Sequence, residues 1–280
     1  MTPRAAASYT GRLPGKYVTV GDTAVHYLHT GPTTLPDVPP ALDRGRLFLL
    51  VHAAGSSAGM WRRQVDGLGT ADSVVAPDLP GHGRSGGIEG LATVEAYADI
   101  VERFVAAVRL RPCVVVGRSM GGAIALVLAA RRPSWLQGVV LACTAARFRL
   151  APETVETLHA VVRGRLPQQF TTETFSPATG IDLMREAWTE QVKTDPRVRY
   201  TDLLACQAFD AGPLLGRVKV PALVVAGADD QVTPVACSEE LARAIAGARL
   251  EVIASAGHQA PLEQAAAFNR LVAGFAEGLP

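Results

Sequence analysis

Short continuous runs of apolar residues alternate along the chain with longer stretches in which apolar residues recur at helical spacing. The short runs are typical of strands buried on both faces of a parallel sheet, and the longer stretches are typical of helices. Their alternation predicts βαβ units around a mostly parallel, eight-stranded sheet flanked by helices. The predicted strands are Lys16–Val20, Ala24–Thr30, Leu47–Val51, Ser73–Ala76, Cys113–Val116, Gly138–Ala142, Ala222–Ala226 and Leu250–Ile253, and the predicted helices are Val94–Val108, Met120–Ala130, Val235–Ile245 and Leu262–Phe275.

The interval from Cys143 to about Gly212 breaks this alternation. Apolar residues there recur at helical spacing around Leu158 and again around Met184, and no strand-like run separates the two regions. The pattern predicts a helical cap, residues 143–212, inserted into an α/β core made of residues 1–142 and 213–280. Acidic and basic residues of the cap are balanced, so we expect them to form a solvated outer face.

The composition is that of an ordinary globular protein. The chain has 280 residues, of which 48% are hydrophobic and 19% are charged, and its formal net charge is +1. Such a small charge produces no field that would attract nucleic acid or an anionic membrane. No apolar run approaches the roughly 20 residues of a membrane span. The N-terminal stretch also lacks the apolar core of a secretory signal, so we expect a cytoplasmic protein.

A candidate nucleophile lies where a predicted strand passes directly into a predicted helix. The stretch Cys113–Gly122 reads CVVVGRSMGG and contains G-x-S-x-G centred on Ser119. In such a turn the serine takes a strained backbone conformation that exposes its Oγ at the edge of the sheet. The flanking glycines avoid a Cβ clash between strand and helix, and the helix N-terminus stabilises negative charge. Ser119 is therefore the predicted nucleophile.

A set of five motifs resembles the α/β-hydrolase superfamily, and the resemblance extends over nearly the whole chain. In chain order, the motifs are His52–Gly55, Asp78–Ser85, Gly117–Gly122, Gly227–Pro234 and Gly257-His258. The resemblance implies an α/β-hydrolase fold in which a histidine and an acid serve the serine nucleophile.

A base and an acid can be assigned to Ser119. His258 follows the last predicted strand and a short turn that can bring it back over the sheet, and serine needs such a base to take its proton. In the family the acid is the fourth residue of G-x-x-D-x-x-x-P, which matches Asp230 and leaves Asp229 one position off. An alternative family position for the acid reads Cys143-Thr144 here and has no carboxylate.

An oxyanion hole needs two backbone N–H groups aimed at the oxygen of the tetrahedral intermediate. The resemblance implies the N–H groups of Met120, directly after the nucleophile, and of Ala54, the second residue after His52. The family usually has His-Gly at this point, so Ala53 is a departure, and alanine tolerates a positive φ poorly. We expect His52 and His82 to hold their loops by hydrogen bonds.

These residues support acyl transfer from an ester, thioester or lactone to water, through an acyl group on Ser119 and without a cofactor or metal. Residues Leu141–Ala146, the length of the cap and Asp210 look like those of 3-oxoadipate enol-lactonases and related small carboxylesterases. A cofactor-free haloperoxidase, a carbon–carbon bond hydrolase and an acyltransferase are alternatives. A receptor-like binder of small ligands with little turnover is an alternative of another class.

Large apolar side chains of the cap are candidates for a substrate pocket over Ser119. We predict that pocket from Phe148, Phe170, Trp188 and Phe209, since a pocket must exclude water and bind apolar groups. The expected partner is a small-molecule substrate, with neither nucleic acid nor a membrane, and the sequence leaves open whether the chain forms a homo-oligomer.

Overall fold

A single eight-stranded sheet runs through the part of the chain that the computed structural model describes, residues 14–279. The N-terminal stretch that was predicted to lack a secretory signal lies almost entirely outside these residues. The strands are β1 (Gly15–Val20), β2 (Thr23–His29), β3 (Leu47–Val51), β4 (Ser73–Pro77), β5 (Cys113–Arg118), β6 (Leu136–Ala142), β7 (Ala222–Gly227) and β8 (Arg249–Ile253). Their order is β1-β2-β4-β3-β5-β6-β7-β8. Strand β2 pairs antiparallel with β1 and with β4, and the other neighbouring strands pair parallel.

Helices flank this sheet, and a 3₁₀ turn (Ala58–Trp61) precedes the first of them. The helices are α1 (Arg62–Leu68), α2 (Val94–Val108), α3 (Met120–Arg131), α4 (Pro152–Val162), α5 (Ile181–Gln191), α6 (Pro196–Ala208), α7 (Gly212–Leu215), α8 (Val235–Ala244), α9 (Ala260–Glu263) and α10 (Ala265–Glu277). The predicted fold class, a mostly parallel eight-stranded sheet flanked by helices, is confirmed. None of the helices in this described range is long and apolar enough to cross a membrane.

Two predictions about helices differ from the structure. The single helix predicted over Leu262–Phe275 is interrupted at Gln264, whose backbone (φ −126°, ψ 51°) is not helical and whose side-chain amide donates to Ser255 O at 3.0 Å. Helix α6 lies within the predicted helical cap, but no helical spacing was identified at its own position. Its buried positions include the charged Asp202 beside Val198 and Cys206, so its inward face has no continuous apolar pattern.

The core lies on both faces of the sheet because successive residues of a strand point to opposite sides. Leu47, Leu49 and Val51 of β3 pack on the side of α2 and α3. Phe48 and Leu50 pack on the side of α1 and α10. Helix α3 is buried from Met120 to Ala130 and packs against β5 and β6.

Helices α4, α5 and α6 follow one another between β6 and β7, within the segment predicted as a cap. Helix α4 packs against α6, and the rings of His159 and Tyr200 are stacked 5.4 Å apart. Phe175 and Met184 form a small separate apolar cluster with Leu262, which lies on α9 of the sheet-bearing part. The cap segment therefore contacts the sheet-bearing part at α9.

Helix α3 approaches β3 so closely that a side chain at Gly121 has no room. A Cβ on Gly121 would lie 2.1 Å from Val51 O and 2.7 Å from His52 O, and both atoms are backbone atoms that cannot turn aside. The close approach is what places the first turn of α3 against the loop after β3.

Replacing Gly121 with Ala should therefore lower the free energy of unfolding by about 1–3 kcal/mol, the usual cost of overpacking a core. The matched control is Gly274→Ala in α10, where an added Cβ meets no atom within 4 Å. That variant should be up to about 1 kcal/mol more stable, since alanine favours helix over glycine. Urea unfolding of both variants checks this, and an unchanged Gly121→Ala protein would contradict it.

Candidate active site

Ser119 occupies a strained turn between β5 and α3. Its backbone has φ 54° and ψ −118°, a conformation that costs a non-glycine residue about 1–3 kcal/mol. Hydrogen bonds hold the turn: Ser119 N donates to Ala142 O at 3.0 Å, and Thr144 Oγ1 donates to Ser119 O at 2.8 Å. The strained turn that G-x-S-x-G predicts is therefore present. It is held by hydrogen bonds to the end of β6 and to the residues after it.

His258 and Asp230 form a buried hydrogen-bonded pair. His258 Nδ1 donates to Asp230 Oδ2 at 2.9 Å, and it also lies 3.2 Å from Oδ1. Asp230 accepts further hydrogen bonds from the N–H groups of Val232 and Thr233, at 2.8 and 2.9 Å, and from Thr233 Oγ1 at 2.8 Å. With its Nδ1 proton committed to the carboxylate, neutral His258 keeps Nε2 as a free base.

The ionised form of Asp230 is favoured at this position. Burial alone would raise the pKa of its carboxyl, but the hydrogen bond and charge of His258, together with the Thr233 hydrogen bonds, hold that pKa below its ordinary value. Asp229 points elsewhere, and its Oδ2 accepts a hydrogen bond from Ser176 Oγ of the cap segment at 2.6 Å. The structure thus pairs His258 with Asp230 rather than with Asp229.

The loop that carries His258 lies beside the nucleophile turn. Arg118 Nη1 donates to His258 O at 3.2 Å and to Gln259 Oε1, and Arg118 directly precedes Ser119. Within residues 14–279, no hydrogen bond joins Ser119 Oγ to His258, and such bonds are commonly long in the absence of substrate. Both side chains are largely buried, with Ser119 8% and His258 6% exposed.

The N–H groups predicted for the oxyanion hole are available. Ala54 N makes no hydrogen bond within the described part of the chain. Met120 is the first residue of α3, where an N–H has no acceptor within the helix. The positive φ of this loop, 60°, falls on Gly55 and not on Ala53 or Ala54. The departure from His-Gly at Ala53 therefore requires no positive φ of alanine.

His52 is neutral, and it holds the loop after β3 that carries Ala54, which we call the oxyanion loop. Its Nδ1 donates to Ala53 O at 2.8 Å, and its Nε2 accepts from Leu79 N at 3.0 Å, so one nitrogen carries a proton and the other does not. Burial, reinforced by the neighbouring charge of His82, lowers the pKa of His52 to about 4. The predicted loop-holding role of His52 is confirmed.

Glu263 is a site residue that the sequence analysis missed. Its Oε1 accepts from Gly257 N at 2.9 Å and from Gln259 N at 3.1 Å, on either side of His258. Its Oε2 accepts from Ser176 N at 2.8 Å and from Thr179 Oγ1 at 2.5 Å, both in the cap segment. A lone acid within an apolar stretch after Gly257-His258 was the available signal.

The predicted pocket residues fall into two pairs. Phe148 and Phe209 are buried in the apolar cluster that also contains Met120. Phe170 and Trp188 meet edge to face with ring centres 5.8 Å apart, and Phe170 is 40% exposed. Their role in a substrate pocket stays a prediction.

Comparison with known proteins finds a family and several relatives that this chain resembles. Residues 48–271 match the model of the alpha/beta hydrolase family. A pimeloyl-acyl-carrier-protein methyl ester esterase of Neisseria meningitidis serogroup C is 32% identical over 257 residues, which cover 85% of this chain and 96% of that protein. A 2-hydroxy-6-oxo-6-phenylhexa-2,4-dienoate hydrolase of Comamonas testosteroni is 26% identical over an alignment of 289 positions that covers 91% of this chain and 92% of that protein.

A solved structure has the same fold over most of its length. The crystal structure of the enol-lactonase from Burkholderia xenovorans LB400 superposes with a TM-score of 0.76 at 29% identity, covering 92% of this chain and 98% of that one.

The neutral buried histidines predict a loss of stability in mild acid. Burial lowers the pKa of His29 on β2 to about 4, as it does for His52. Each histidine is easier to protonate in the unfolded chain, whose histidine pKa is about 6.5. The stability they provide is therefore present above pH ~6.5 and is lost as the pH falls toward ~4, by at most about 1.4 kcal/mol per pH unit for each residue.

Urea unfolding between pH 7 and 4.5 measures this slope, and His29→Asn should make it shallower by roughly half of the histidine contribution. An identical slope in the wild type and the variant would show that His29 titrates alike in the folded and unfolded chains.

Proposed function

This chain belongs to the α/β hydrolase family, and we propose on that basis that it is a serine hydrolase that cleaves a carboxylic ester or lactone of a small molecule through an acyl-enzyme on Ser119. The observation that carries the proposal is the strained Ser119 turn, which lies beside a buried His258–Asp230 pair. A turn of this kind costs stability, and its use is to expose a nucleophile.

The proposed reaction begins when Ser119 Oγ attacks the acyl carbon of the substrate and His258 Nε2 accepts the hydroxyl proton. Asp230 stabilises the imidazolium and keeps its ring oriented. The carbonyl π electrons move to oxygen, and that oxyanion accepts hydrogen bonds from Ala54 N and Met120 N. Collapse of the intermediate expels the alcohol oxygen, which takes the proton from His258.

Hydrolysis of the acyl-enzyme repeats these roles. Water loses a proton to His258 Nε2 and adds to the acyl carbon. Collapse of the second tetrahedral intermediate breaks the bond between the acyl carbon and Ser119 Oγ and releases the acid, while His258 returns the proton to Ser119 Oγ. In a lactone the leaving oxygen stays attached to the acyl chain, and the product is a hydroxy acid. Both steps use only groups already present in the site.

The names of the relatives support an acyl compound as the substrate. The names of an esterase and an enol-lactonase favour an ester or lactone. The dienoate hydrolase is a second relative whose name gives a different substrate, so a dienoate belongs in the substrate screen beside esters and lactones. Steady turnover, as opposed to a stoichiometric burst, separates an enzyme from a receptor-like binder.

The cap segment, residues 143–212, is proposed to roof Ser119 and to select the substrate. Phe148, Phe170, Trp188 and Phe209 are the proposed apolar lining of that pocket, since burial of apolar groups is what a water-excluding pocket requires. A cytoplasmic location remains part of the proposal.

Replacing Ser119 with Ala should abolish covalent labelling by a fluorophosphonate and lower kcat for a short p-nitrophenyl ester by roughly 10³–10⁶-fold. The reason is that the variant lacks the hydroxyl that forms the proposed acyl-enzyme. Thermal unfolding is the control, and it should show a folded variant. Full labelling of the folded variant would disprove the assignment of the nucleophile.

Replacing Asp230 with Asn should lower kcat by roughly 10²–10⁴-fold, because His258 would lose the partner that sets its tautomer. Asp229→Asn is the matched control, since Asp229 contacts the cap segment and not His258. Steady-state kinetics of the two variants should therefore differ by at least tenfold in kcat. A greater loss in the Asp229 variant would mean that the acid has been misassigned.

A further inference from the structure

A buried group of charged and polar side chains lies outside the proposed triad and joins the cap segment to the oxyanion loop. Asp202 of α6 is fully buried, and its carboxylate accepts hydrogen bonds from three separate parts of the sheet-bearing region. Gly55 N donates to Oδ2 at 2.8 Å, His82 Nε2 donates to Oδ2 at 2.7 Å, and Tyr97 OH donates to Oδ1 at 2.5 Å.

The hydrogen-bond partners determine the charges of this group. His82 Nδ1 lies 2.9 Å from Pro80 O and Nε2 faces Asp202, so both ring nitrogens face acceptors and both must carry a proton. Tyr97 OH accepts from Leu91 N at 2.9 Å and so donates its own proton to Asp202. The arrangement is that of a buried imidazolium–carboxylate pair. Burial would lower the pKa of His82, but the charge and hydrogen bond of Asp202 raise it above its ordinary value.

The hydrogen bond from Gly55 links this pair to the proposed oxyanion hole. Gly55 directly follows Ala54, whose N–H is a proposed oxyanion donor, so fixing the peptide after Ala54 limits the rotation of the peptide before it. Arg199, also of α6, lies over Gly55, where an added Cβ would be 2.5 Å from Arg199 Cγ. Thr194 Oγ1 donates to Ser56 O at 3.1 Å. Side chains of the cap segment thus hold two consecutive residues of the loop.

We propose that Asp202 is a positioning residue through which the cap segment holds the oxyanion loop in its reactive geometry. The proposal rests on the function proposed above. A buried ion pair is a poor source of stability, because well-packed apolar residues serve as well, but it specifies one arrangement of the groups around it. The attachment of α6 therefore sets the rate of the chemical step, and not only the access of substrate to Ser119.

The test is Asp202→Asn, which keeps the shape of the side chain and removes its charge. We expect kcat for a p-nitrophenyl ester to fall about 10–100-fold, since small misplacements of reacting groups have effects of this size. KM should change less than threefold. The affinity for a trifluoromethyl ketone, whose adduct with serine places an oxyanion in the hole, should fall by the same factor as kcat.

The matched control is Asp195→Ala. Asp195 caps the N-terminus of α6 through a 2.8 Å hydrogen bond from Arg197 N and does not touch the oxyanion loop. It should lower Tm and leave kcat per active site unchanged, with active sites counted by fluorophosphonate. Equal losses of kcat in the two variants would reduce Asp202 to a structural role and overturn the proposal.

A second variant keeps the proposal testable if Asp202→Asn does not fold. Tyr97→Phe removes the hydroxyl that fixes Asp202 Oδ1, so the carboxylate holds Gly55 N less firmly, and kcat and ketone affinity should both fall severalfold at constant KM. Unchanged kcat and ketone affinity in folded Tyr97→Phe would contradict the proposal. Failure of the wild type to turn over any ester or lactone would count against the proposed function instead.

Discussion

The rest of the site depends on the strained backbone of Ser119. A non-glycine residue with φ 54° is unfavourable by itself, so other contacts must hold it. Gly121 allows α3 to press against β3, and Ala142 and Thr144 bind the two sides of the turn. The same close approach places Met120 N, which has no intrahelical acceptor because it begins α3, next to the loop that carries Ala54. One backbone constraint thus places both the nucleophile and the proposed oxyanion hole.

Two carboxylates, one in the cap segment and one outside it, connect the cap segment to the loops of this site. Asp202 reaches from α6 to Gly55, and Glu263 reaches from α9 to the backbone of the cap segment while it holds the loop of His258. Asp202 is fully buried and Glu263 is partly buried. Removing a carboxylate from water is unfavourable unless hydrogen bonds compensate, and each of these accepts at least three. Because the partners are backbone N–H groups as well as side chains, these contacts constrain loop geometry directly.

The parts of this fold that could be predicted from sequence are those encoded by local patterns. Buried strands such as Leu47–Val51 appear as continuous apolar runs, and the turn at Ser119 is specified by adjacent glycines. Helix α6 could not be predicted, because its inward face carries Asp202, and an acid at a buried position looks like solvent-facing sequence. Its partners His82 and Tyr97 are more than 100 residues away in the chain, so no spacing rule connects them. The break at Gln264 likewise depends on a contact, with Ser255 O, that only the folded chain supplies.

The central claim is that hydrolysis proceeds through an acyl group on Ser119. Rapid mixing with a short-chain p-nitrophenyl ester, followed by acid quenching and peptide mass spectrometry, tests it most directly, because this leaving group makes deacylation the slow step. We expect a mass increase equal to one acyl group on the peptide that contains Ser119, formed in step with the burst of p-nitrophenol. Continued release of p-nitrophenol with that peptide unmodified, or with the acyl group on another residue, would contradict it.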